Sequence, residues 1–233
     1  MNETFKKKFA QSSEKFDKWD SIFQSFSYSN FQPDKVNDEK YVEISFQLQR
    51  VLSEILEIFI SFGKFRDSWE LPPKMDIFPF GQAAIVKSKK LRHDFSFGLY
   101  EDEFFIETSI LYPRHLKHMS DDFWILFTEL AAVGTFAFQE CACPFDENVP
   151  LQEAFKGGRS NVYKIIRNYI LLEQYPEGSL DLGLFKITWP QKTQWDILIK
   201  KGCEAFKRMY ELNYMLYRQE YLRMKAKGLS PTQ

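Results

Sequence analysis

The chain has 233 residues, 44% hydrophobic and 17% aromatic, with 31 basic and 32 acidic side chains for a net charge of −1. That apolar mass suffices for a full core, and the balanced charge excludes a chain that binds nucleic acid through net charge alone. Ten glycines and ten prolines exclude a low-complexity polymer, and three cysteines, an odd number, exclude a secreted disulfide scaffold.

The opening "MNETFKKKFAQSSEKF" has no apolar core and no small-residue cleavage site. In residues 3–27, Phe16, Trp19, Phe23 and Phe26 recur at helical spacing. A loop broken by Pro33 follows. A second helix is expected over Asp38–Phe62, where Ile44, Leu48, Val51, Leu52, Ile55, Phe59 and Phe62 form one apolar face. "SWELPPKMDIFPFGQ" carries too many prolines to be helical throughout, and "AAIVKSKK" reads as a short strand. Phe95, Phe97 and Leu99 then alternate, as do Phe104, Ile106, Thr108 and Ile110. That period predicts a hairpin with the acidic tip "YEDE".

Ser120 is placed to cap a third helix, with Asp121 and Asp122 in its first turn. The run Phe123–Phe138 is apolar nearly all round and predicts a central buried helix. It carries Glu129 and is too short to span a membrane. A fourth helix is expected from Ser160 to about Gln174. "SLDLGLFKITWP" predicts a strand closed by Pro190. A long helix follows from about Thr193 to Lys227, with Trp195, Ile199, Cys203, Phe206, Tyr210, Tyr214, Tyr217 and Tyr221 on one stripe.

The expected fold is α+β: one domain over residues 1–233, helical in 1–62, with a small, mostly antiparallel sheet region over about 75–112. Residues 120–227 are then helical with one strand. It has an N-terminal helix pair, a central buried helix and a long C-terminal helix.

Catalytic patterns are sparse. Cys141 and Cys143 are spaced C-x-C without a second pair, so a zinc set is not formed. His93, His115 and His118 have no ligand spacing, and no metal or cofactor is expected. "KGGRSNV" sets Gly157 and Gly158 before a capped helix but lacks a phosphate-loop pattern. Lysines and arginines on the last helix read as the solvated back of an amphipathic helix, so nucleic acid is not the expected partner.

Charge distribution says more. Residues 101–153 carry 11 acids against Arg114 and Lys117, and residues 154–233 carry 14 basic against 7 acidic side chains. Such blocks steer charged partners. The expectation is a non-enzymatic, cytoplasmic, protein-binding module that covers a basic partner surface, as an immunity-type or antitoxin inhibitor covers a toxin. Glu101, Asp102, Glu103, Asp121 and Asp122 would make the contact. The alternatives are an enzyme, or a nucleotide- or metal-handling protein, with a site assembled around His93, His115 and His118, and a structural protein that forms a homodimer through Tyr210, Tyr214, Tyr217 and Tyr221.

Overall fold

The computed structural model describes residues 3–31, 38–139, 161–162, 164–166, 169–170 and 183–229. Its helices are α1 (Glu3–Ser13), α2 (Phe16–Phe31), α3 (Asp38–Phe62), α4 (Asp121–Glu129) and α5 (Trp195–Ala226). Its strands are β1 (Trp69–Phe78), β2 (Gly81–Ser88), β3 (His93–Tyr100), β4 (Glu103–Ser109), β5 (Thr135–Gln139) and β6 (Leu184–Pro190). Short 3-10 helices cover Pro113–His118 and Leu130–Ala132, and the described parts of 161–170 are helical. The six strands form an antiparallel sheet in the order β1-β2-β3-β4-β6-β5. The fold is α+β, with the expected hairpin (β3–β4) and long C-terminal helix. None of the described helices is long and apolar enough to cross a membrane.

Contacts group the chain into two compact units. One is Met1–Ile106 with Thr188–Lys207, and the other is Glu107–Ile187 with Arg208–Gln233.

In the first unit, α3 lays its apolar face on the sheet, and Phe59 meets Phe97 edge-on at 5.2 Å. Phe206 of α5 packs against Phe59, Phe65, Trp69 and Phe95. Each such pair adds specific geometry to the area it buries. Gly98 permits a close approach within the sheet: a Cβ there would lie 2.4 Å from the carbonyl oxygen of Gln82. The helix read over 3–27 is divided at Glu14–Lys15. The break lets both pieces use α3: Phe5 of α1 packs on Phe62 at 5.1 Å and the Ser12 hydroxyl donates to Glu54, while Phe26 of α2 stacks on Tyr41 at 6.2 Å. The N-terminal layer is therefore three helices, α1, α2 and α3. β1 begins at Trp69, ahead of the expected start of the sheet. Pro72 and Pro73 are tolerated because β1 is an edge strand whose ladder is irregular between Glu70 and Lys74.

In the second unit, the helix expected to run through Phe138 stops at Glu129, and Thr135–Gln139 is strand β5. α4 buries Phe123 and Phe127 but leaves Ile125 55% exposed. Phe127 and Phe185 lie 5.5 Å apart, and Phe138 joins them. The amide of Asn161 brackets β5: Oδ1 accepts from Phe138 N at 2.9 Å, and Nδ2 donates to Phe136 O at 3.0 Å. Asn213 of α5 does the same past the end of β4, accepting from Leu111 N and donating to Ser109 O. Arg208 donates to the Glu129 carbonyl at 2.6 Å, satisfying an open acceptor at the end of α4.

An acidic turn and the groove beside it

The β3–β4 connection is a two-residue turn, Glu101–Asp102, with Glu101 at φ 53°. Glu101, Asp102 and Glu103 are exposed, and none forms an ion pair among the described residues. The turn is fastened from the far end of the sequence. Gln191 N donates to the Asp102 carbonyl at 2.7 Å. The Gln191 side chain in turn accepts from the Ser27 hydroxyl of α2 at 3.0 Å.

Gln191 sits in the wall of a groove of about 650 Å³. One side is α2, with Phe16, Asp17, Asp20, Phe23, Gln24 and Ser27; the other is residues 191–196, ending in Trp195 and Asp196. Trp195 is the buried hub of this end of the unit. Its ring meets Trp19, Phe23 and Phe104, each at 5.2 Å, and its indole N–H donates to the Asp20 carboxylate. Asp17 and Asp20 are exposed, while Lys200 pairs with Asp196 at 3.4 Å. Lys192 is the one basic side chain in the lining, against three aspartates. The charged lining is thus net negative, which favours a cationic group over phosphate. In the sequence its acids carry no common signal, because α2 and the 191–196 turn stand far apart in the chain, and Trp195 reads only as the start of an aromatic stripe.

The other expected contact residues, Asp121 and Asp122, are exposed in the first turn of α4, in the second unit. Ser120 occupies the N-cap position there, with Phe123 N bonded to its carbonyl at 3.0 Å, but its hydroxyl makes no capping bond. The five acids thus fall into two sets on different units.

The histidines divide between the units, His93 in the first and His115 and His118 in the second, where their rings lie 6.3 Å apart. His93 opens β3 in the first unit, half-buried, its ring 5.7 Å from Phe95. His115 is buried in the second unit, where its Nε2 lies 2.6 Å from Glu220 of α5. Glu220 also accepts two bonds from Arg223, at 2.6 and 2.9 Å, and lies 3.4 Å from Arg114. The Arg223 bonds, then that to His115 and the charge of Arg114, hold its carboxyl down at about 2 despite burial. His118 is exposed. Among the described residues no three histidine, cysteine or carboxylate side chains gather as a metal site. His115 and Glu220 act as a clasp between the 3-10 helix and α5. Glu220 was invisible in the sequence beside the basic and aromatic residues of its helix.

Tyr210, Tyr214, Tyr217 and Tyr221 follow one another at ring separations of 6.1, 6.2 and 6.4 Å. Tyr210 is buried and Tyr221 is 41% exposed, so the stripe begins in the core and ends at the surface. Cys203 is buried on the same helix, and burial pushes its thiol up, as for an inert core side chain. Cys141, Cys143, the glycines at 157–158 and the cap at Ser160 lie outside the described residues.

A scan of the chain against models of known protein families finds no match, and a search among curated proteins finds none.

Proposed function

We propose that the protein is a non-enzymatic, cytoplasmic binding module that receives a basic segment of a protein partner at its acidic turn and the adjoining groove. One observation carries this reading: the Gln191–Asp102 bond fastens an acidic turn, which forms no ion pair among the described residues, to the wall of a groove whose charged lining is three aspartates against one lysine. Backbone bonding holds the charges in place before a partner arrives, which lowers the cost of ordering them on binding. The groove is lined by Asp17 and Asp20, both exposed, and by the aromatic residues Phe16, Phe23 and Trp195. That pairing suits lysine or arginine side chains, whose stems are apolar and whose heads are charged. An inhibitor of the immunity or antitoxin type, covering the phosphate-binding lysines and arginines of a toxin, is one form of such a module. Asp121 and Asp122 would be a second, separate contact.

The test is paired affinity capture from cells with the wild-type chain and a chain carrying Glu101→Lys, Asp102→Lys and Asp17→Lys. A partner held by the wild type is then purified and its association rate measured at low salt. The reading expects the rate to fall by about tenfold or more in the variant, and the wild-type rate to fall as salt rises. Association that is indifferent to both salt and the three substitutions refutes it.

A further inference from the structure

β1 lies at the end of the strand order and pairs with β2; among the described residues no strand pairs with its other edge. The parity of the ladder shows which peptide groups face outward. Glu101 N donates to Phe80 O at 2.8 Å, so Phe80 bonds toward β3. Residues of a strand between two antiparallel neighbours alternate between them. Gln82, Ala84 and Val86 therefore also bond to β3, and Gly81, Ala83 and Ile85 bond to β1. The β1 partners of these three are Phe78, Asp76 and Lys74, whose peptide groups turn inward. Met75 and Ile77 turn theirs to the open edge.

The two halves of β1 differ. Pro72 and Pro73 have no N–H to offer, and the ladder is irregular there. From Lys74 to Phe78 the register is continuous. Lys74 and Asp76 are exposed without an ion-pair partner among the described residues, and Ile77 is 58% exposed. An open, regular edge with exposed apolar neighbours is a template for another strand.

The sequence of this edge suits its own copy. Antiparallel pairing about a two-fold axis at Met75 sets Met75 opposite Met75 and places each Lys74 directly opposite Asp76 of the second copy. Of the other axes, those at Lys74 and Asp76 set a charge against itself, and one at Ile77 sets both charges against phenylalanines; the axis at Met75 sets Ile77 against Pro73, so its hydrogen bonds centre on the Met75 pair. Opposite charges facing across a strand pair stabilise it, and like charges destabilise it. From this charge complementarity we infer that β1 is a homodimerisation edge, joining two copies strand to strand with Lys74 and Asp76 as reciprocal partners. This interface is distinct from the acidic turn and from the tyrosine stripe.

The experiment is sedimentation equilibrium of the full chain from micromolar to millimolar concentration. The wild type is expected to dimerise. Lys74→Glu should raise the dimer Kd about tenfold or more, since two attractive pairs become repulsive. The double variant Lys74→Glu with Asp76→Lys should restore a Kd close to that of the wild type. Asp76→Asn should weaken the dimer, whereas a tighter dimer would overturn the register. Met75→Pro removes an outward N–H while sparing the bonds to β2, and should abolish dimerisation with the circular dichroism spectrum retained. A wild type that is monomeric throughout overturns the proposal. So does a dimer that survives Lys74→Glu and Met75→Pro but is lost on Tyr221→Ser.

Discussion

Replacing Glu220 with glutamine should flatten part of the acid dependence of this protein's stability. The Glu220 carboxyl is held at about 2, against an ordinary value of 4.5, by Arg223 first and then by His115 and Arg114. A carboxylate whose pKa is depressed by folding contributes stability that is fully present above its unfolded pKa. That contribution is lost as pH falls through the folded value. The window therefore runs from 4.5 down to about 2. The whole gap corresponds to about 3 kcal/mol, of which about 2 kcal/mol is gone by about pH 3. Glutamine keeps the shape and accepts some of the same bonds, but does not titrate. Urea unfolding of both proteins at neutral pH and near pH 3 isolates the effect, because every other carboxylate is common to the two. The wild type should lose about 2 kcal/mol more than Glu220→Gln on acidification. Equal losses would refute the claim that Glu220 is the anchored carboxylate, and a greater loss in the variant would reverse its sign.

Gln82 is fully buried, and neither atom of its amide finds a partner among the described residues. Gln82→Met, which keeps the length and removes the polar atoms, should raise stability by about 1–2 kcal/mol in urea unfolding; a loss of that size would show that the amide is satisfied. Gly98→Ala should cost about 3 kcal/mol, because its Cβ would meet the Gln82 carbonyl at 2.4 Å, the Phe105 ring at 2.7 Å and the Ala83 Cα at 2.9 Å. A thermal midpoint unchanged by Gly98→Ala would mean that the strands can part there at little cost.

The sequence made some elements legible and hid others for physical reasons. The β3–β4 hairpin was readable because Phe95, Phe97 and Leu99, then Phe104 and Ile106, alternate with the period of a half-buried strand. The start of α5 near Trp195 and its length followed from a stripe with a period of three to four. The run from Phe123 to Phe138 misleads because it is apolar at nearly every position. Such a run satisfies the helix and strand periods equally, so α4, the turn at Val133–Gly134 and β5 merged into one expected helix. β1 was underestimated because prolines usually mark the end of a strand, whereas an edge strand accepts them on its irregular side. Of the candidate site, the acidic turn was visible as four consecutive letters. The groove beside it was not, because Ser27 and Gln191, which join its walls, are 164 residues apart. The Glu220 clasp was hidden likewise, since its partner His115 lies 105 residues away.

Asn161 and Asn213 each meet a backbone N–H and a backbone carbonyl with one short side chain. A carboxamide carries a donor and an acceptor on separate atoms of one short arm. Hydrolysis to aspartate would keep the outline and delete the donor, leaving a negative oxygen against a carbonyl. The durability of the second unit is thus tied to the chemistry of two amides. Loss of ammonia from either would age the fold at a strand, with no change in the hydrophobic core.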